Sequence, residues 1–376
     1  MRRANLAAGL AVVVLAVILL VLPVGAIGGD RVALAAGTGA SLMLGAALVL
    51  MVVGLVLPTR LSAPLAAGTV AVSGFLLGLL LLRRLDDGLT YTAEGVAAWA
   101  LLIAIAVLLW LAMARLSAVP GRVASLLVPL LFGGLLVYFW EVLTRGFQVP
   151  QILLPAPSVI FDTFLADRAT LWVDFWQTFV RSAIPGFLAG CTSGFLVAVA
   201  IDRSEFLQRG LLPLGSLVSA MPIVGIAPIM VMWFGFDWQS KAAVVVVMTF
   251  FPMLVNATAG LAATGTLERD LMRSYAADYW QTLIKLRLPG ALPFIFNALK
   301  LNATLALIGA IVAEFFGTPI YGMGFRISTE VARLNVDKVW ATIAVAAMAG
   351  SITYGILVLL ERVTTFWHPS QRQSDR

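Results

Sequence analysis

Apolar residues run in long uninterrupted stretches along this chain, and polar residues collect in the short segments between them. Runs long enough to cross roughly 30 Å of hydrocarbon are Leu6–Ile27, Val32–Leu57, Ala63–Leu82, Val96–Ala114, Leu126–Leu143, Thr178–Ile201, Leu211–Phe236, Ala242–Ala263, Pro293–Phe316 and Val339–Leu360. Each is expected as one membrane helix, giving about ten spans. Several contain Gly and Pro, which membrane helices tolerate because small residues let them pack closely. The first run is longer than the roughly 7–15 apolar residues of a signal peptide, so a retained helix is expected there.

The runs fall into two groups. The first four are rich in Ala, Leu, Val and Gly and are joined by very short loops. The segment "RLSAVPGR" (115–122) then punctuates the chain. Longer polar connections follow, with Trp-bearing helix ends such as "VYFWEVL" and "VMWFGFDWQ". Trp and Tyr favour the membrane interface. The expected organisation is a four-helix module over 1–120, a six-helix core over 121–365 and a polar tail over 366–376.

Of 376 residues, 61% are hydrophobic and 12% charged, against roughly 25% charged in a soluble domain. Such a chain cannot cover a globular surface with charge, so the fold class is all-α and polytopic. The net charge of +6 does not point to nucleic acid, because most Lys and Arg sit in the segments between apolar runs, where the positive-inside bias alone would place them. With a single Cys191 and a single His368, the residues offer no intrachain disulfide and argue against a metal site. They also show no nucleophile–base or paired-carboxylate constellation, so no catalytic residue is expected.

Loop charge gives an orientation. The N-terminal "MRR", Arg60, Arg115 with Arg122, "DRSEFLQR", the 264–292 segment and the tail alternate onto one side, which should be the cytoplasm. Both termini are then cytoplasmic. Arg83, Arg84, Arg326, Arg333 and Lys338 fall on the opposite side.

The stretch "LERDLMRSYAADYWQTLIKLRLPGALPF" (267–294) breaks the apolar pattern. Thr266 can cap a helix with Glu268 and Asp270 near its positive end. Leu267, Leu271, Ser274 and Tyr275 share one face, and Arg269 and Arg273 another. Asp278 and Gln281 have capping-box spacing, so a second short helix, Tyr279–Arg287, is expected. Pro289 should stop it, and Pro293 suits the first turn of the next membrane helix. Tyr275, Tyr279 and Trp280 cluster at the elbow. An amphipathic helix lying on lipid and a knob entering a groove on a soluble partner both accommodate this pattern. Aromatics at an elbow, not along a stripe, favour the knob.

"SYAADYWQTLIKLRLPGALPFI" resembles the EAA loop of ABC-importer permeases of the type I, binding-protein-dependent family. Aligned on Trp280 and Pro289, the Glu-Ala-Ala falls on Asp270, Leu271 and Met272, and the turn glycine on Ala276. The Ile-x-Leu-Pro falls on Leu286, Arg287, Leu288 and Pro289. Alanine at the glycine position costs on the order of 1 kcal/mol if it must adopt positive φ; the alternative is a turn without a left-handed residue. "ILLPAPSVIFDTF", "SAMPIVGIAPIMVMWFGFDWQSK" and "IGAIVAEFFG" with "GMG" resemble further segments of the nitrate/sulfonate/taurine group, with wording nearest to thiamine-pyrimidine-precursor and riboflavin permeases.

The resemblance covers roughly residues 121–365. It implies an importer's translocation subunit in the bacterial inner membrane, working with an ATPase dimer, a second permease, in a homodimer, and an extracytoplasmic solute-binding protein. ATP and Mg would be held by the ATPase, and G-x-x-x-x-G-K-[ST] is absent from this chain. The ATPase-coupling residues implied are Asp270, Tyr275, Ala276, Ala277, Asp278, Tyr279, Trp280, Leu288 and Pro289. Candidates for the translocation pathway are Met221, Pro222 and Pro228 in a proline-framed helix, Asn256 and Asn302 in apolar helices, and Glu314 at a span end. Asp237 and Lys241 read as a solvated pair. The alternative function is a channel or secondary transporter without an ATPase, which intramembrane charges would favour. The core runs contain few.

Overall fold

The computed structural model describes residues 23–27, 30–33, 38–56, 59–91, 96–117, 122–204, 206–207, 209–210, 222–317 and 320–367. The chain folds as two compact units, Met1–Val159 and Ile160–Arg376.

The N-terminal unit opens with an antiparallel pair, β1 (Pro23–Ile27) and β2 (Asp30–Ala33). This corrects the expectation that Leu6–Ile27 and Val32–Leu57 are helical from end to end. Pro23 and Gly25 disfavour helix, Val24 and Ile27 favour strand, and Gly28-Gly29 between the strands is a turn sequence. The pair is tied to Thr90 by reciprocal Ala26–Thr90 backbone hydrogen bonds of 2.9 Å. Residues 6–22 lie outside the described residues. Helices α1 (Thr38–Val56), α2 (Thr59–Asp86), α3 (Val96–Ser117) and α4 (Arg122–Gly146) follow. Their shared core includes Leu77, Leu81, Leu101, Ile105, Leu135 and Val142. The Tyr138 hydroxyl donates to the Gly78 carbonyl at 3.2 Å, joining α4 to α2. Glu141 accepts from the Ser158 amide (2.9 Å) and hydroxyl (2.7 Å), pinning the start of α5 (Pro157–Ala166). Thus α4, beyond the expected boundary at Pro120–Gly121, packs with the helices before it.

The C-terminal unit continues with α6 (Arg168–Phe175), a π-helical stretch π1 (Trp176–Ala183) and α7 (Ile184–Asp202). Next are α8 (Ile223–Phe234) and α9 (Trp238–Ala262). Polar helices α10 (Thr266–Ser274) and α11 (Tyr279–Thr282) lead through π2 (Leu283–Arg287) into α12 (Leu288–Glu314). The unit ends with α13 (Met323–Ala332) and α14 (Val336–Thr364). Helix α7 meets α9 along Gly186, Gly190 and Gly194. A methyl at any of them would collide with α9, Gly190 directly on the Thr249 hydroxyl. This small-residue ridge lets the two backbones close without lipid between them.

Among the described residues, seven helical stretches are long and apolar enough to cross a membrane: Gly68–Asp86, Ala98–Ser117, Ser125–Gly146, Arg168–Asp202, Trp238–Ala262, Tyr279–Glu314 and Val336–Thr364. The protein is a multi-pass, predominantly α-helical membrane protein.

Candidate functional site

The polar interruption forms a bent elbow. Helix α10 starts from Gly265 as N-cap, not from Thr266, and has no side-chain cap. The Glu268 carboxylate fills the space over Gly265 that a side chain there would need. Helix α10 ends in a left-handed residue: Ala276 has φ +52°. The Ala277 amide donates to the Met272 carbonyl (3.0 Å) and the Ala276 amide to Arg273 (2.9 Å). These are the two bonds of a Schellman motif with Ala276 at its left-handed position. The turn therefore uses the conformation that the glycine of the resemblance would supply, and the alternative closure is not the one adopted. The capping box is formed as the spacing predicts. The Gln281 amide donates to Asp278 Oδ1 at 2.6 Å, and the Asp278 amide donates to Gln281 Oε1 at 3.2 Å.

Pro289 does not end the second helix. The chain stays helical from Tyr279 to Glu314, passing Pro289 through π2. The Leu288 amide bonds back to Leu283 instead of Ile284. The wider turn shifts the hydrogen-bond register just where proline lacks an N–H and would crowd the preceding turn. Pro293 consequently lies inside α12 and not at its start.

The base of the elbow is latched. Arg287 donates to both oxygens of Asp202, at 2.6 and 2.5 Å, and to the Leu261 carbonyl through Nε (3.1 Å) and Nη2 (2.9 Å). Tyr279 adds its hydroxyl to Asp202 Oδ2 at 2.9 Å. Arg203 lies 4.7 Å over the Tyr279 ring and 5.4 Å from that of Trp280. The ends of α7 and α9 and the root of α12 are thereby tied through one guanidinium. Of the three elbow aromatics, Tyr279 is bound into this latch, whereas Tyr275 (78% exposed) and Trp280 (50%) protrude. Leu267 (81%) and Leu271 (56%) extend the same apolar edge. Asp270 is exposed and pairs locally with Arg273 at 3.3 Å. Leu288 packs beside Leu283 and Tyr279 under the elbow. Asp202 and Arg287 are 85 positions apart, and no local spacing pairs them. The "ID" closing the run at 201–202 and a cation inside the Ile-x-Leu-Pro pattern are the signals that carry them.

A second polar cluster lies where α6, π1, α12 and α13 meet. Asp174, fully buried, accepts from the Gly322 amide (2.9 Å) and from Arg326 Nε (2.7 Å). Glu314, 2% exposed, accepts from the Thr178 hydroxyl (2.8 Å) and the Gly324 amide (2.7 Å). Thr178 Oγ1 in turn accepts from the Met323 amide at 2.7 Å. The amides opening α13, which have no partner within their helix, are thus satisfied by two carboxylates and a hydroxyl. Gly322 (φ +131°) and Gly324 are needed here, since a methyl on either would strike the Glu314 side chain. Burial works against charge on Arg326, but its hydrogen bond to Asp174 and the carboxylates around it prevail and raise its pKa above the ordinary value.

The pathway candidates do not converge as a group. Glu314 is a buried cap, not a solvated acid. Asn302 Nδ2 donates to the Thr249 carbonyl (2.8 Å) and Cys191 Sγ (3.2 Å), while its Oδ1 is buried without a partner. Asn256 bonds the Pro252 carbonyl one turn back at 2.8 Å. Pro222 is the exposed N-cap of α8 and Pro228 lies within that helix. Met221 lies outside the described residues. The expected Asp237–Lys241 pair is not formed. Lys241, 1% exposed, donates to the Phe236 carbonyl at 2.6 Å, and Asp237 accepts from Gln177 at 3.1 Å. The ammonium also reaches the Ser240 hydroxyl at 3.3 Å, so its partners come from the adjoining chain and not from the Asp237 carboxylate.

Comparison with known proteins gives the family. Residues 190–366 match the family described as binding-protein-dependent transport system inner membrane component. A probable ABC transporter permease protein of Haemophilus influenzae is 30% identical over 58% of this chain and 89% of its own length. The formylaminopyrimidine transport permease protein ThiX of Halalkalibacterium halodurans is 29% identical over 65% of this chain and 97% of its own. Among solved structures, the inward-facing MetNI methionine ABC transporter is 18% identical with a TM-score of 0.44, over 54% of this chain and 97% of that one. The chain belongs to the binding-protein-dependent ABC transporter permease family. It is the membrane-spanning permease subunit of an importer for a small solute, and its family implies a separate ATPase and a solute-binding protein as partners.

Proposed function

We propose that the elbow, residues 264–292, is the surface through which the ATPase drives this permease. The observation that carries the reading is a protruding apolar edge, Leu267, Leu271, Tyr275 and Trp280, on a base fixed by Arg287 and Asp202. A rigid root with exposed anchors can transmit displacement to several membrane helices at once. Anchors of this kind carry about 2 kcal/mol or more each when seated in a groove.

ATP and Mg are held by the ATPase subunits. Two copies of this chain form the translocation unit in the bacterial inner membrane, with both termini cytoplasmic and the binding protein on the side of α13. ATP closes the ATPase dimer, the two elbows move together, and the core helices switch from inward- to outward-facing. Met221, Pro222, Pro228, Asn256 and Asn302 are the pathway positions to probe first, with Glu314 setting the outer loop. The relatives' names carry formylaminopyrimidine, aliphatic sulfonates and riboflavin on related permeases. That spread supports a reading in which the binding protein selects the solute.

Trp280→Glu tests the docking. It should abolish transport and weaken ATPase co-purification about 30-fold, the equivalent of about 2 kcal/mol, in a permease that still inserts and elutes normally. Normal transport by that variant would remove the argument for docking at the elbow.

A further inference from the structure

A cleft of 460 Å³ in the C-terminal unit separates α6 and π1 from α14. One wall is made by Trp172, Phe175 and Phe179. The other follows one stripe of α14, with Val345, Met348 and Ile352 above Ile356. Phe175 stacks on Trp172 (centroids 5.3 Å apart) and on Phe179 (5.2 Å), so the aromatic wall is continuous. Arg168 stands at the mouth. It is exposed, and among the described residues its guanidinium has no ion pair or hydrogen bond. The adjacent Asp167 is already held by Lys338 at 2.9 Å.

Helix α14 sets the depth of this cleft. Its apolar run, Val339–Leu360, is bounded by Asp337 and Lys338 at one end and Glu361 and Arg362 at the other. The run rises roughly 33 Å, the thickness of a bilayer's hydrocarbon. Val345–Ile356 therefore lie at hydrocarbon depth, and the Lys338–Asp167 pair puts the start of α6 at the boundary with the headgroups. The result is a dry trough roughly 16 Å long with one unclaimed cation at its headgroup end.

We propose that this cleft binds an anionic glycerophospholipid, with one acyl chain between the two walls and its phosphate on Arg168. The walls take an unbranched chain by apolar contact alone. The planar guanidinium matches a phosphate. A helix from a second copy, or a neutral lipid, would leave that charge unanswered. A lipid seated here braces α6 against α14, and α6 carries Asp174 of the outer network.

The test uses the full chain with its ATPase, reconstituted in phosphatidylcholine vesicles. A photoreactive group sits in the acyl chain of added phosphatidylglycerol or, separately, phosphatidylcholine. Phosphatidylglycerol should label peptides containing Trp172–Phe179 and Val345–Ile356 about fivefold more than phosphatidylcholine does, as one interfacial cation warrants. Arg168→Gln, a surface change, should erase that preference and leave phosphatidylcholine labelling unchanged. Ala349→Trp should fill the trough and reduce labelling by both probes in a protein that still binds its ATPase. Equal labelling by the two headgroups in the wild-type protein would overturn the proposal. So would labelling confined outside the cleft, or adducts between two copies of the chain at Met348.

Discussion

Among the described residues of the C-terminal unit, two Asp–Arg pairs join residues far apart in the sequence, and they hold different things. Asp174–Arg326 is the more enclosed: its carboxylate is fully buried and its guanidinium 19% exposed. With Glu314 and Thr178 it caps the amides of α13, fixing a loop helix against the helix bundle. Asp202–Arg287 is 15% and 12% exposed and ties the ends of two long helices to the root of a third. Beyond it the chain carries an apolar edge that nothing in its own unit covers. The same residue types thus close one end of the unit and, at the elbow, fix the root of an exposed segment. Burial predicts which pair stability depends on, and the exposed tip predicts which pair coupling depends on.

Breaking the Asp174–Arg326 pair should have the largest effect on stability. Asp174→Asn leaves Arg326 short of its main partner in a buried setting, at a cost of about 3–5 kcal/mol. The thermal midpoint in detergent should fall on the order of 10 °C. A fall of only a degree or two would mean that Glu330, 3.8 Å from Arg326, already suffices. Arg287→Gln should cost less stability, about 2 kcal/mol for the charged hydrogen bonds removed, but should uncouple ATP hydrolysis from transport. Arg287→Lys sharpens the point: it keeps the charge and loses the bidentate fork. It should remain folded, with transport per ATP hydrolysed reduced several-fold. Full coupling in Arg287→Lys would reduce the latch to simple charge neutralisation. The smallest effect should come from Ala276→Gly. Relieving a left-handed alanine should gain about 1 kcal/mol, seen as a small rise in thermal midpoint with transport unchanged.

What the sequence discloses of this design follows the range of the interactions. The capping box of Asp278 and Gln281 is legible because both groups lie within one turn. The left-handed turn at Ala276 is legible only by analogy, since alanine itself favours other conformations. The apolar runs mark most of the long helices because the bilayer imposes their length. Local rules mislead where a neighbour overrides them. Pro289 should stop a helix, yet π2 absorbs it. Asp237 should pair with Lys241, yet Gln177 and the Phe236 carbonyl take the two groups apart. Pro23 and Gly25 turn the end of an apolar run into a strand that Thr90 then binds. The two Asp–Arg pairs join residues far apart along the chain, and no spacing rule relates them. The packing of α7 on α9 along Gly186, Gly190 and Gly194 sets the ends of these helices side by side, and Arg287 bonds to both, at Asp202 and at the Leu261 carbonyl.

If the elbow drives the permease, its exposed edge meets a protein groove and does not lie on lipid. A photoreactive amino acid at Leu271, on that edge, tests it in membranes containing the assembled transporter. A second at Leu283, buried under the elbow at 5% exposure, serves as the reference. Leu271 should yield a covalent adduct with the ATPase subunit, and Leu283 only intrachain links. Lipid adducts at Leu271, with none to the ATPase, would contradict docking there.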